Sequence, residues 1–192
     1  MGETERAYDN LAVTKMQLAK RILMVIVLLL SVFINQRAFG QTNIYKDGTD
    51  NFTFRYPTTW KQVEPQLETT RVLLYAQDDS KGTCNLSVIA KDRNSVFDYG
   101  SDFWDFVASQ TFPGNTRVKS VEIVQIRERY FSISHVDFLL RLPSHSKLAE
   151  SVSAVTVERG KRYMIICNGI RGNFKNVENT FDMIVGTLIF VN

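Results

Sequence analysis

From Asn51 onward, apolar and polar residues mostly alternate, the period of strands with one buried face. Phe52, Phe54 and Tyr56 share one side, Thr53 and Arg55 lie opposite, and Pro57 ends the run. The same rhythm predicts strands over residues 71–77, 84–90, 118–126, 130–142, 148–158 and 163–170, with a last one at 187–191. Two segments carry a helical period instead. Ser101, read as an N-cap, precedes a helix over 102–110 that places Phe103, Phe106 and Val107 on one side. Phe174, Val177, Phe181, Ile184 and Val185 form a helical stripe ending at Gly186. Within 130–142, Phe131 and Ile133 hold one phase while Val136, Phe138 and Leu140 hold the other, which predicts a β-bulge at His135. Strands dominate and their connections are short. The pattern therefore predicts an α+β fold, an antiparallel sheet with helices packed on its faces.

The first forty residues follow another logic. Lys20 and Arg21 precede an apolar run, residues 22–34, in which only Ser31 is polar. At ~1.5 Å per residue the run spans roughly 20 Å, short of the ~30 Å core of a bilayer. Ala38-Phe39-Gly40 then supplies small residues at the two places a signal peptidase reads. Residues 1–40 are read as a signal or targeting segment cut after Gly40, with Met16 as the start of a more compact signal. The other reading of the same run is an uncleaved anchor. No cysteine follows the cut to carry a lipid. Residues 41–50 are then a short linker and 51–192 a single domain.

Charge narrows the partners. Of 23 basic and 20 acidic residues, the first forty hold five and three, leaving 18 against 17 in the remainder. So neutral a domain has no electrostatic footprint for nucleic acid. There are two histidines. His135 and Asp137, two apart on one strand face, are the candidate metal pair, against the plainer reading of an exposed polar face. His145, within Pro143-Ser144-His145-Ser146, reads as a loop tip, and Asp78-Asp79 as a solvated turn. The chain has no Gly-x-Ser-x-Gly elbow, phosphate-cradling glycine loop or Cys-x-x-Cys, and is expected to be no enzyme. Cys84 and Cys167 each lie in an apolar strand. They either pair, closing a loop of about 83 residues for ~4–5 kcal/mol, or act as two buried thiols. Asn51-Phe52-Thr53 and Asn85-Leu86-Ser87 match the glycosylation pattern, but both fall in predicted strands and read as chance matches.

Several stretches resemble the PsbP family, the lumenal extrinsic proteins of photosystem II and their relatives. Phe52-Thr53-Phe54-Arg55-Tyr56-Pro57-Thr58-Thr59-Trp60 is similar to the family's aromatic strand followed by Pro-x-x-Trp. Asn85-Leu86-Ser87-Val88 resembles the next characteristic strand, Asp98-Tyr99-Gly100-Ser101 the entry to a helix, and Glu158-Arg159-Gly160-Lys161-Arg162-Tyr163 a hairpin turn. Phe54, Pro57, Trp60, Asn85, Tyr99, Gly100, Ser101 and Gly160 carry the signature. In physical terms, Trp60 is expected to cap the sheet edge, Gly100 to give Ser101 the freedom to start a helix, and Gly160 to allow a tight reversal. The resemblance implies an α/β/α sandwich in the thylakoid lumen, docked on photosystem II or another photosynthetic complex as a peripheral membrane protein. It further implies support of calcium and chloride retention or of assembly, with calcium as the one cofactor in view. No loop here has the acidic spacing of a dedicated calcium site. Lys161, Arg162, Arg171 and Lys175 are the candidate docking cations. The alternative is a periplasmic or secreted binding or chaperone module of the same fold without a photosynthetic role.

Overall fold

The computed structural model describes residues 41–77, 82–90, 93, 95–112, 116–141 and 146–191. His145 and the Asp78-Asp79 turn lie outside the described residues, as does the whole predicted leader. From Thr42 onward the chain forms one compact unit.

Among the described residues there are ten strands and two α-helices, in the predicted order but with the strands Thr42–Asp47 and Trp60–Val63 added to it. They are β1 (Thr42–Asp47), β2 (Phe52–Pro57), β3 (Trp60–Val63), β4 (Thr70–Ala76), β5 (Thr83–Ala90), α1 (Ser101–Thr111), β6 (Thr116–Ile126), β7 (Arg129–Arg141), β8 (Ser146–Glu158), β9 (Lys161–Ile170), α2 (Phe174–Thr187) and β10 (Ile189–Phe190). Seven strands make one antiparallel sheet in the order β3-β4-β5-β9-β8-β7-β6, and β1-β2-β10 make a second, smaller one. This is a mixed α+β fold of the expected sandwich type.

One face of the large sheet meets the small sheet and α2. Phe52, Phe54 and Tyr56 of β2 pack with Val72 and Leu74 of β4, Leu86 of β5 and Ile165 of β9. The predicted stripe Phe174, Val177, Phe181, Ile184 and Val185 completes this core from α2, with Thr180 buried beside it. Close approach of α2 to β9 depends on Gly169: a Cβ there would meet Val177 Cγ2 at 2.6 Å. Cys84 and Cys167 stand directly opposite on β5 and β9 and form a disulfide, with Cα atoms 4.1 Å apart. On the chain-entropy account, closing so long a loop stabilises by roughly 4.5 kcal/mol.

The opposite face is covered by α1 and by a 3-10 turn at Val96–Asp98, whose Ser95 and Asp98 form a capping box. Tyr99, Phe103 and Trp104 sit over Val155, while Ala108 and Phe112 sit over Val136, Phe138 and Ile166.

Several expectations are corrected. The segment 41–50 is largely strand: β1 pairs with β2 from Thr42 opposite Pro57 to Asp47 opposite Phe52. Its pattern hid it, because Tyr45 is its one large inward side chain whereas Ile44 points outward and is 55% exposed. Asn51 lies in the turn before β2, at φ 51°, and not in a strand. Gly100, not Ser101, is the N-cap of α1, and no side chain caps that end. The φ of Gly100, −86°, is one any residue adopts, so backbone freedom is not what it supplies. On α1 the buried side chains are Phe103, Trp104 and Ala108, and Phe106 faces solvent at 63% exposure. α2 runs through Gly186 to Thr187, and the last strand joins the small sheet beside β2.

The predicted bulge is present on a different strand. β7 keeps one phase throughout: Ser132, Ser134, Val136 and Phe138 face α1, and its pairing with β8 is unbroken. The register shifts on β6, between Val118 and Ser120. Two buried serines on the α1 face imitated a change of phase. Trp60 is buried at 3% exposure and opens the edge strand β3, so it belongs to the core as well as to the edge. Gly160 behaves as expected. With Arg159 at φ 49° and Gly160 at φ 73°, the β8–β9 connection is a two-residue hairpin turn matched to the twist of its strands.

Candidate binding surface

α1 covers only part of its sheet face. Over β4, β5 and β9 the face lies open, bounded by the loop from Val63 to Leu67, and leaves a hollow of about 620 Å³. Leu73, Met164 and Ile166 make an apolar floor. Asn85 and Ser87 are interleaved with them because alternate residues of β5 point this way, while Cys84 and Leu86 point into the core. Ser87 Oγ and Thr70 Oγ1 lie 3.2 Å apart and share a hydrogen bond across β4 and β5. Among the described residues, Glu64 is the one carboxylate of the lining, and no cationic side chain lines it. Asn85 is thus a signature residue at a surface. The hollow itself went unread in the sequence, since it is defined by what α1 leaves uncovered.

The four predicted docking cations are engaged within the chain. Lys161 pairs with Asp50, whose side chain is fully buried and also accepts from Arg71 Nε at 2.5 Å. Burial pushes the Asp50 carboxyl up, but the hydrogen bonds and charges of Lys161 and Arg71 outweigh it and hold the carboxyl below its ordinary range. Arg162 is buried at 9% exposure and lies over the rings of Tyr99 and Phe103, at 5.7 and 5.2 Å. It is a core cation with no surface to offer. Arg171 meets Asp137 at 2.5 Å and Glu150 at 2.8 Å, and Lys175 meets Glu178 at 2.6 Å.

His135 and Asp137 do share a face of β7, the one opposite α1. Asp137 is already partnered by Arg171 and, at 3.3 Å, by Lys119. Burial raises its carboxyl, and those two cations more than reverse the effect, leaving it lowered. Asp182, on α2, moves the other way: burial and Glu178 raise it, with Lys175 and His135 pulling back. Among the described residues, no three metal-ligating side chains gather at one place. Nor is any helix there long and apolar enough to cross a membrane.

The signature Tyr99-Gly100-Ser101 is anchored by a residue the sequence reading passed over. Trp104 Nε1 donates to Ser132 Oγ at 2.8 Å, and Ser132 Oγ donates to the Tyr99 carbonyl at 2.5 Å. A serine on the inward face of β7, with Ser134 beside it, carries no signal for this in the sequence.

Comparisons with known proteins agree on the architecture. The solution structure of cyanobacterial PsbP (CyanoP) from Synechocystis sp. PCC 6803 matches with a TM-score of 0.61 at 14% identity, covering 79% of this chain and 94% of that one. The Saccharomyces cerevisiae Ran-binding protein Mog1p matches with a TM-score of 0.60 at 8% identity, over 80% and 97%. LpqN of Mycobacterium tuberculosis, described as involved in cell envelope biogenesis, matches with a TM-score of 0.53 at 8% identity, over 79% and 91%. At such identities these likenesses speak to fold alone. No curated protein matches by sequence. The PsbP family matches residues 40–189, and its members are non-catalytic binding and structural proteins. With that match spanning both sheets and both helices, the chain belongs to the PsbP family.

Proposed function

We propose that this chain is an exported binding module that holds a segment of a partner protein in the hollow over β4, β5 and β9. The observation that carries this reading is the uneven cover of the large sheet, which leaves an apolar floor studded with Asn85 and Ser87 open to solvent. A floor of that composition suits a peptide segment, burying its side chains while satisfying its amides. The fold's occurrence in a Ran-binding protein, a cell-envelope protein and a cyanobacterial PsbP supports a docking scaffold whose partner varies.

A second reading is a thylakoid-lumen accessory of photosystem II, acting in calcium and chloride retention or in assembly. Family membership and the likeness to CyanoP favour it. Any effect on calcium would then act through the complex, because the described residues gather no ligand cluster of their own.

One experiment tests both readings. A photo-crosslinking residue in place of Tyr75, at the hollow, is compared in the native host with one in place of the exposed Lys147. A discrete adduct specific to position 75 is expected. Identical adducts from both positions, or none from 75, would overturn the hollow as the binding site. An adduct with a photosystem II subunit, released from membranes by high salt, would select the second reading.

A further inference from the structure

The outward face of the small sheet is set by alternation along its strands. β1 contributes Ile44 and Lys46, β2 contributes Thr53 and Arg55, and the C-terminal strand contributes Ile189, with Val191 just beyond it. Register places Lys46 opposite Thr53, Thr53 opposite Ile189, and Ile44 opposite Arg55. Lys46 and Arg55 are therefore diagonal neighbours, about 7 Å apart, a spacing at which like charges repel. Lys46 and Arg55 form no ion pair with any described residue, whereas Lys161, Arg171 and Lys175 all do. None of these outward residues is acidic. The nearby carboxylates turn away: Asp50 is buried against Arg71 and Lys161, and Asp47 accepts from the Thr49 and Asp50 amides and the Tyr45 hydroxyl. Around the two cations, Ile44, Ile189 and Val191 are 55%, 45% and 50% exposed.

We propose that this face docks the protein on an anionic phospholipid surface. Lys46 and Arg55 meet lipid phosphates, and Ile44, Ile189 and Val191 enter the headgroup layer. Charge complementarity requires an anionic occupant, and three protruding aliphatic side chains require one with an apolar layer just beneath its charge. The inference is independent of the hollow, which lies on the far side of the large sheet. Two cations at an anionic leaflet favour binding by roughly thirtyfold, a weak and salt-sensitive attachment.

Co-sedimentation with vesicles tests it, using the 42–192 unit, which contains both sheets and both helices and so closes its own core. Vesicles of phosphatidylcholine with 30 mol% phosphatidylglycerol are compared with phosphatidylcholine alone. Binding to the anionic vesicles is expected, at least tenfold weaker for Lys46→Glu/Arg55→Glu and for Ile44→Ser/Ile189→Ser, and lost in high salt. Circular dichroism and thermal melts check that these surface variants stay folded. Equal binding to both vesicles, undiminished binding of the charge-reversed variant, or no binding to either overturns the proposal. Retention on immobilised polyglutamate without vesicle binding would assign the face to an acidic protein and overturn it equally.

Discussion

Ser132 joins three parts of the fold through a single hydroxyl: β7, the indole of α1, and the carbonyl that ends the 3-10 turn. All three groups are sealed from water. Replacing it with alanine takes from the Trp104 N–H its acceptor and from the Tyr99 carbonyl one of its hydrogen bonds, at a cost of about 1–3 kcal/mol. Urea unfolding of Ser132→Ala should give a lower midpoint with an unchanged slope. An unchanged midpoint would mean that the hydroxyl contributes nothing net. Residues like this are hard to read in a sequence, because an inward serine counts as polar in any alternation. That is why β7 imitated a bulge. Gly160 was legible, since it acts through its own backbone and needs no distant partner.

At the scale of elements, strands with at least one well-filled face were readable, and short strands that bury few side chains were not. β3 has four residues, and Trp60 is the only one it buries. α1 misled for a related reason: its outward Phe106 looked like core, and Trp104 proved to be the deeper anchor. The buried stripe of α2, though not its end, was read correctly because it meets a single core. The seat of that helix rests on Gly169, where an added methyl would press on Val177. Gly169→Ala should cost about 1–3 kcal/mol by overpacking and lower the melting temperature. Gly172→Ala is the control, since a Cβ there meets nothing within 4 Å. Equal effects in the two variants would remove close approach as the explanation.

For the whole molecule, the tie between the two sheets is electrostatic as well as apolar. Asp50, at the turn of the small sheet, is held by Arg71 of β4 and Lys161 of β9. Its carboxyl is lowered on folding, so the stabilisation is complete above its unfolded value, near 4, and is lost as pH falls through the still lower folded value. Acid should therefore destabilise the protein below about pH 4. In Asp50→Asn the melting temperature at neutral pH should fall and its dependence on pH below 4 should flatten. An unaltered acid limb would exclude this carboxylate as its source. The hollow over β4, β5 and β9 belongs to this scale too, since it exists only once elements distant in sequence are assembled.

The strand order has a consequence for how the protein is made. β5 finds its second neighbour only in β9, where Cys167 stands opposite Cys84, and β2 finds its second in β10, well over a hundred residues later. During vectorial synthesis β1–β2 and β3–β4–β5 can pair locally, but neither set has its remaining neighbours, and closing such long loops is slow. The polypeptide thus stays pliant until nearly all of it has left the ribosome, the condition under which a nascent chain can be threaded through a narrow pore before it locks.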